Sequence, residues 1–237
     1  MRTWKNLLND YLIYLKIERG LSENSIKSYS YDIKNLLRYI NKYNNKLSLK
    51  QCDKKFMQEF IYEISKNINS RSQSRLLSSL KSFFNYLVFE GYNNTSPMEL
   101  IESPKIVTKL PDVLSIEEIK LLIKNSELNK NHGIRNSAIL ETLYGSGLRV
   151  SELINLKISD IHYDEKLLLI QGKGNKQRLV PLGTICESKI SNYVDNFRIL
   201  KKIKKHSNDI VFLNRNGKKL TRAMIFTIVK EAHQKSN

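Results

Sequence analysis

Apolar residues recur every three or four positions through roughly the first 90 residues, which is the spacing of amphipathic helices. The pattern predicts four helices. The first ends near Gly20, the second begins at Ser22, the third covers roughly Asp53 to Lys66, and the fourth runs from Ser70 to about Phe89. Helices with apolar stripes bury those stripes against one another, so we expect a small helical bundle.

Three prolines interrupt this periodicity at positions 97, 104 and 111. Proline lacks a backbone N–H donor and clashes with the preceding helical turn, so the stretch that holds the three cannot continue a helix. We therefore expect a helical domain over residues 1–92, a linker over 93–112 and a second domain over 113–237.

The second domain mixes helices with a small sheet. Ser115 and Glu118 form the pattern of a capping box, which predicts a helix start. Another helix is expected from about Asn136 to Tyr144, and a last one after Thr221. A glycine-containing turn joins two predicted antiparallel strands. These strands are Lys166–Gln171 and Arg178–Leu182. The expected fold class is mainly α, with a four-helix bundle followed by a mixed α+β domain.

The charge of the chain favours a polyanionic partner. Lys and Arg number 40 against 23 Asp and Glu, giving a formal net charge of +17. The excess is spread out, with 16 basic and 10 acidic residues in 1–103 and 24 and 13 in 104–237. Nucleic acid is the expected partner, and a basic surface that serves only solubility is the alternative. The basic run from Arg198 to Lys205 is interpreted as a solvated helix end.

Membrane and metal-binding classes are disfavoured. No stretch approaches the roughly 18 uninterrupted apolar residues of a spanning helix, and the N-terminus lacks a secretory pattern, so we expect a cytoplasmic protein. Cys52 and Cys186 are isolated, and the four histidines show no metal-ligand spacing. We expect no metal and no cofactor.

One candidate site lies in the segment Tyr144–Leu156, with the sequence YGSGLRVSELINL. The preceding helix is expected to end at Gly145 and Gly147. Arg149 and Glu152 are then three residues apart, which would place guanidinium and carboxylate on one helical face. The planar fork of an arginine suits a phosphate, while an ordinary surface ion pair is the alternative.

A second candidate site is the basic hairpin Gly172–Gly183, with the sequence GKGNKQRLVPLG. Lys173, Lys176 and Arg178 place three cations on or beside its turn. Taken alone, such cations can equally be solvated charges or general phosphate contacts.

The two segments together resemble the tyrosine site-specific recombinases, the family of phage integrases and Xer proteins. The 24-residue separation of Arg149 and Lys173 is similar to that of the Xer branch. The segments GLSENSIKSYSYDI and SRLLSSLKSFFNYL, and the KLPDVLS that ends the linker, resemble the same family. The resemblance implies a SAM-like core-binding domain followed by a catalytic domain.

The family chemistry implies roles for the residues of both segments. A tyrosine attacks the scissile DNA phosphate, which leaves a 3′-phosphotyrosine link and a free 5′ hydroxyl without metal or ATP. Arg149 would stabilise charge on the phosphate, oriented by Glu152. Lys173 would protonate the departing 5′ oxygen, and Lys176 and Arg178 would contact the DNA backbone.

The resemblance also implies how the protein meets its substrate. Arg71, Arg75 and Lys27 lie in segments by which the family's N-terminal domain grips DNA, although a merely polar outer face is equally open. The expected partner is double-stranded DNA at a specific site, with four recombinase protomers, alike or mixed, joining two sites. Chromosome dimer resolution and partition at cell division, phage integration and transposition all remain possible purposes.

Part of the family's catalytic set is missing from this sequence. His132 and Arg135 spell HxxR, but they precede Arg149, which is the wrong order. Tyr193 is the only tyrosine after Lys173, and we interpret it as a packing residue. The sequence thus predicts a C-terminally truncated recombinase with an incomplete catalytic domain and no nucleophile of its own.

Three consequences of this truncation are open. We expect the chain to be inactive alone and its assembly into tetramers to be doubtful. The alternative function is a DNA-binding remnant that occupies sites without cutting them. The second domain could also fold poorly without the missing part.

Overall fold

The computed structural model describes residues 3–43, 48, 51–104, 110–129, 132–172, 174, 176–200 and 202–234. The chain divides into two compact units, Met1–Leu110 and Pro111–Asn237. Within the described ranges, no helix has both the length and the apolar character needed to cross a bilayer.

The first unit consists of four helices, as the periodicity predicts. They are α1 (Trp4–Ile17), α2 (Glu23–Tyr43), α3 (Lys54–Ser65) and α4 (Ser70–Phe89). Polar side chains begin them: Thr3, Asp53 and Asn69 each accept a backbone N–H of the first turn of α1, α3 and α4. Ser22 does the same for α2 through the amide of Ser25. These caps satisfy donors that the helices themselves leave unpaired.

Tyr11 lies in the centre of the bundle. Its ring is fully buried and meets Phe83 edge to face with centroids 5.1 Å apart. Its hydroxyl donates to Ser82 Oγ at 2.8 Å, so the buried polar group has a partner. The apolar stripes of all four helices close around it. Buried members of this core include Leu7, Leu15, Ile33, Leu36, Phe60, Leu80 and Phe84.

The second unit contains five α-helices among its described residues. They are α5 (Ile116–Glu127), α6 (Gly133–Gly145), α7 (Val150–Leu153), α8 (Thr184–Tyr193) and α9 (Arg222–Gln234). The capping box that opens α5 is present in both directions, with Glu118 N donating to Ser115 Oγ and Ser115 N donating to Glu118 Oε2. Helix α8 continues into a single π-helical turn over Val194–Arg198.

A three-stranded antiparallel sheet completes the second unit. Its strands are β1 (Ile161–His162), β2 (Leu167–Gln171) and β3 (Gln177–Pro181), in the order β1-β2-β3. The predicted hairpin is β2–β3, and its register places Ile170 opposite Arg178. The sheet and the preponderance of helix confirm the predicted fold class.

The buried face of β2 joins the second core. Leu168 and Ile170 are buried there together with residues of α6, α8 and the segment before α9. This packing fixes the position of the hairpin relative to α6 and α7. Further members of the core are Ala138, Ile139, Leu153, Ile190, Tyr193, Val211 and Phe212.

Arg198 corrects the interpretation of its basic run as a solvated helix end. Its side chain is buried, and its guanidinium donates to the backbone carbonyls of Ile210, Ser207 and Asn208. Burial lowers the pKa of this guanidinium, and the nearby Tyr193 and Asp209 oppose the shift. Arg198, the first residue of the run, therefore stabilises the fold by binding the segment 207–210, while Lys202, Lys204 and Lys205 are exposed.

Candidate functional site

Arg149 lies in the connection between α6 and α7. Gly147 makes the turn with φ of +58°, a left-handed conformation that glycine adopts without strain. Leu148 is buried and anchors the connection. Arg149 follows in an extended conformation (φ −70°, ψ 149°) and is the last residue before α7. Its side chain is 74% exposed, so the guanidinium is accessible from solvent.

Glu152 holds Arg149 from behind. Its Oε2 accepts the backbone N–H of Arg149 at 2.8 Å, and its Oε1 accepts Nη1 of Arg149 at 2.9 Å. The carboxylate side chain is only 4% exposed. The expectation that the two residues share a helical face needs correction, because Arg149 precedes the helix and Glu152 reaches back to it. The Glu152 carboxylate thus caps the N-terminus of α7 and also orients the side chain of Arg149.

The guanidinium of Arg149 keeps one edge for another partner. Only Nη1 is engaged by Glu152. Within the described part of the chain, no hydrogen bond uses its Nε or Nη2. Those two atoms form the edge that binds the two oxygens of a phosphate side by side.

Arg178 reaches the same carboxylate from strand β3. Its Nη1 donates to Glu152 Oε1 at 2.7 Å and its Nη2 donates to Oε2 at 2.8 Å, a parallel bidentate pair. The side chain of Arg178 is 39% exposed. The motifs do not reveal this contact, because Arg178 and Glu152 belong to different ones. The DNA-backbone role that the sequence predicts for Arg178 stays a prediction.

The two arginines keep Glu152 ionised. The pKa of its carboxyl falls to about 2, chiefly because Arg178 donates hydrogen bonds to it; burial opposes the shift, and the backbone and side chain of Arg149 add to it. Glu152 is therefore a carboxylate throughout the neutral range. With Arg149 and Arg178 it forms a cluster of net charge +1, which attracts an anion.

The entry to the hairpin turn lies against this cluster. Gly172 N donates to Lys176 O at 2.7 Å. A methyl group added at Gly172 would lie 3.5 Å from Arg178 Nη1 and 3.7 Å from Glu152 Oε1. Lys176 is exposed. Lys173, the next residue of the sequence, lies outside the described residues, so its role as the general acid stays a prediction.

A second arginine and carboxylate pair lies in the helical bundle. Asp32 is 2% exposed, and its Oδ2 accepts Arg75 Nη1 at 2.6 Å and Ser79 Oγ at 2.8 Å. Arg75 Nη1 also donates to Ser28 O at 3.2 Å. Burial raises the pKa of the Asp32 carboxyl, while the hydrogen bonds from Ser79 and Arg75 oppose it. The bundle therefore fixes Arg75 at its surface.

The other predicted DNA-binding residues of the bundle are exposed. Arg71 lies one helical turn before Arg75 and is solvent-accessible. Lys27 is also exposed and pairs loosely with Glu23 at 3.9 Å. The structure leaves these cations available to a ligand, and their DNA-binding roles stay predictions.

Arg135 and Tyr193, to which the sequence interpretation gives no catalytic role, are both buried. Arg135 of the misplaced HxxR donates to Leu213 O at 3.0 Å and to the side chain of Asn136. Tyr193 is fully buried, stacks on Phe212 at 5.6 Å, and its hydroxyl accepts Leu213 N at 3.1 Å. Burial raises the pKa of this phenol. Tyr193 is a packing residue, as predicted, and is inaccessible to DNA.

Comparison with known proteins identifies related sequences over almost the whole chain. Residues 112–237 match the phage integrase family, and residues 8–91 match the phage integrase N-terminal SAM-like domain. Tyrosine recombinase XerD of Staphylococcus haemolyticus is 35% identical over 233 residues, which cover 98% of this chain and 79% of the relative. The XerD of Staphylococcus aureus strain Mu50 is 33% identical over 233 residues, which again cover 98% of this chain and 79% of the relative.

Solved structures share the fold. A lambda integrase tetramer bound to a Holliday junction aligns with a TM-score of 0.73 at 17% identity, covering all of this chain and 67% of that one. The XerH recombinase bound to a palindromic difH substrate aligns with a TM-score of 0.69 at 23% identity, covering 99% and 71%. With the matched family and the XerD relatives, the resemblance drawn from the two motifs is confirmed, and the chain belongs to the phage integrase family of tyrosine recombinases.

Proposed function

We propose that this protein acts in site-specific DNA recombination, as a Xer-type recombinase that cleaves and rejoins strands through a 3′-phosphotyrosine intermediate. The geometry of Arg149 carries the proposal. Its guanidinium is exposed and is held by the buried Glu152 carboxylate, and one edge of the guanidinium is left to bind a phosphate. The XerD relatives support the reaction class, because they are tyrosine recombinases.

The site geometry suits charge stabilisation during phosphoryl transfer. When a tyrosine oxygen attacks phosphorus, negative charge builds on the non-bridging oxygens, and the free edge of Arg149 can donate two N–H groups to them. As the bond from phosphorus to the 5′ oxygen breaks, Lys173 supplies the proton that the leaving oxygen requires. Glu152 remains ionised and keeps the arginine in place.

The proposed partner is double-stranded DNA. A net charge of +17 supplies the electrostatic attraction, and Arg71, Arg75 and Lys27 of the bundle add cations at its surface. The solved lambda integrase and XerH structures are bound to DNA, the former as a tetramer. We assign this chain the same class of substrate, assembly with other recombinase protomers, and a cytoplasmic location.

Binding to DNA without cleavage is the second candidate function. It is favoured by the exposed cations Arg71 and Lys176, which can contact DNA phosphates without any cleavage step. Such a protein would occupy recombination sites through its phosphate contacts alone.

A nicked-substrate assay separates the two candidates. The protein is incubated with nicked duplexes that carry the core sites of Xer relatives and with a random duplex pool, and covalent adducts are resolved on a denaturing gel. A protein–DNA adduct that Arg149→Ala abolishes supports recombination. Salt-sensitive binding without an adduct supports the second candidate, and failure to bind any duplex contradicts both.

A further inference from the structure

Glu152 accepts hydrogen bonds at every lone-pair site that a carboxylate offers. Its Oε1 accepts Nη1 of Arg149 and Nη1 of Arg178, and its Oε2 accepts the Arg149 backbone N–H and Nη2 of Arg178. A carboxylate has about four such sites, so the group is saturated. Two of the four are taken by a strand residue 26 positions later in the sequence.

This saturation decides how Arg149 is held. An arginine and a carboxylate left to themselves favour a bidentate pair, in which two guanidinium nitrogens face the two oxygens. Arg178 already makes that pair with Glu152. Arg149 is consequently limited to one side-chain hydrogen bond, which leaves its Nε and Nη2 edge for a ligand.

Arg178 is poorly placed to bind a phosphate itself. Both of its terminal nitrogens are engaged at 2.7 and 2.8 Å by a carboxylate that is almost fully buried. Releasing them would leave a buried anion with fewer partners, which is strongly unfavourable. Lys176, on the same hairpin, is exposed and has no such constraint among the described residues.

We propose that Arg178 is a positioning residue, which saturates Glu152 so that Arg149 presents its free edge to a DNA phosphate. The inference rests on the proposed function, because it takes Arg149 as the phosphate-binding group. Without Arg178, the Glu152 carboxylate can form a bidentate pair with the guanidinium of Arg149, which then no longer faces the phosphate.

A double-mutant cycle on DNA binding tests this inference without requiring cleavage. Affinity and its salt dependence are measured for the full chain with Arg149→Ala, Arg178→Ala and both together. A residue that acts through Arg149 has no further effect once Arg149 is gone. We expect Arg178→Ala to weaken binding of the otherwise unaltered protein several-fold and to change neither affinity nor salt slope in the Arg149→Ala background.

Lys176→Ala is the matched control on the same hairpin. As a direct phosphate contact, its loss should add to that of Arg149→Ala and lower the salt slope by about one in both backgrounds. The same additive behaviour for Arg178→Ala would overturn the proposal in favour of a DNA contact. An unchanged affinity for Arg178→Ala in the otherwise unaltered protein would equally overturn it.

Two further measurements keep the test decisive. If Arg178→Ala does not fold, Arg178→Lys replaces it, since an ammonium can occupy one of the two oxygens and should give an intermediate loss that is again absent without Arg149. Independently of DNA, NMR titration of the Glu152 carboxyl should show its pKa rising from about 2 when Arg178 is removed. If no duplex binds, the proposed function fails, while the titration still shows whether Arg178 controls Glu152.

Discussion

Asp32 and Arg75 join helices α2 and α4 through a hydrogen bond of 2.6 Å between a buried carboxylate and a guanidinium at the surface. The carboxylate is 2% exposed and the guanidinium side chain 39% exposed. Ser79, one turn further along α4, donates to the same oxygen at 2.8 Å. The pair therefore ties two helices of the bundle together and fixes a cation on its outer face.

Arg75→Ala should destabilise the bundle. It leaves Asp32 buried with Ser79 as its remaining side-chain partner, and breaking a buried ion pair costs about 3–5 kcal/mol. Because Arg75 is partly exposed, we expect about 2 kcal/mol. Trp4, the single tryptophan, packs on this core, so its fluorescence during urea unfolding reports the first unit.

Arg71→Ala is the matched control for this measurement. It removes the same side chain one turn earlier from an exposed position, and surface substitutions of that kind change stability by less than about 0.5 kcal/mol. Equal unfolding midpoints for the two variants would show that the Asp32 contact contributes nothing.

The bundle was largely predictable from its sequence. The bounds of α4 agree because strong local signals mark both ends, Asn69 as a cap and Gly91 as a stop. Asp32 lies on the apolar stripe of α2, three residues after Tyr29 and four before Leu36, but no motif predicts its contact with Arg75. A charged residue in such a stripe indicates a buried partner, but the stripe does not say which residue that is.

The second unit was less predictable because its key contacts join distant segments. Strand β1 has only two residues and shows no periodicity. The motifs identify Arg149 and Glu152 as a pair, since they are local, but Arg178 reaches the same carboxylate only once β3 is paired with β2. The burial of Arg198 cannot be predicted from the basic run, because its partners are backbone carbonyls, which no side-chain pattern reveals.

Arg198→Ala should destabilise the second unit by about 3 kcal/mol. It removes the donors for several backbone carbonyls in the segment 207–210, and each buried acceptor left without a partner costs about 1–3 kcal/mol. Thermal unfolding followed by circular dichroism checks the loss. Lys204→Ala, at an exposed position in the same basic run, should leave the midpoint unchanged. A similar shift of the unfolding midpoint for both variants would mean that Arg198 contributes no more to stability than a solvated residue of the basic run.

Acid should weaken the contact between Glu152 and the two arginines. The folded-state pKa of about 2 lies below the ordinary value near 4.5, so the unfolded chain binds this proton more readily. The contribution is fully present above about pH 5 and is lost as the pH falls toward 2. Glu152→Gln, which cannot ionise, should be less stable than the unaltered protein near neutral pH.

The pH dependence of that difference is the measurement. Urea unfolding of both proteins, followed by circular dichroism at several values between about pH 6 and 2, should show the stability gap narrowing with acid. A gap that stays constant over this range would mean that the charge of Glu152 does not stabilise the fold.

Gly172 offers a steric test of the same cluster. An added Cβ would lie 3.4 Å from Lys176 O, 3.5 Å from Arg178 Nη1 and 3.7 Å from Glu152 Oε1, which is ordinary contact distance. Alanine should therefore be tolerated. Valine adds two methyl groups where these atoms already touch, so Gly172→Val should push Arg178 away from Glu152 and raise the pKa of the carboxyl above about 2.

Gly183 provides the control position for this substitution. It precedes α8 with φ of −65°, and a Cβ there would meet nothing within 4 Å. Gly183→Val should leave the titration of Glu152 unchanged by NMR, whereas Gly172→Val should shift it and Gly172→Ala should not. The graded response of position 172 would show that the hairpin entry and the ion pair share one packed contact. If Gly172→Val folds and the pKa of Glu152 does not shift, the packing at Gly172 does not influence the Glu152–Arg178 ion pair. The hairpin would then be connected to Glu152 and Arg149 only through Arg178 on strand β3.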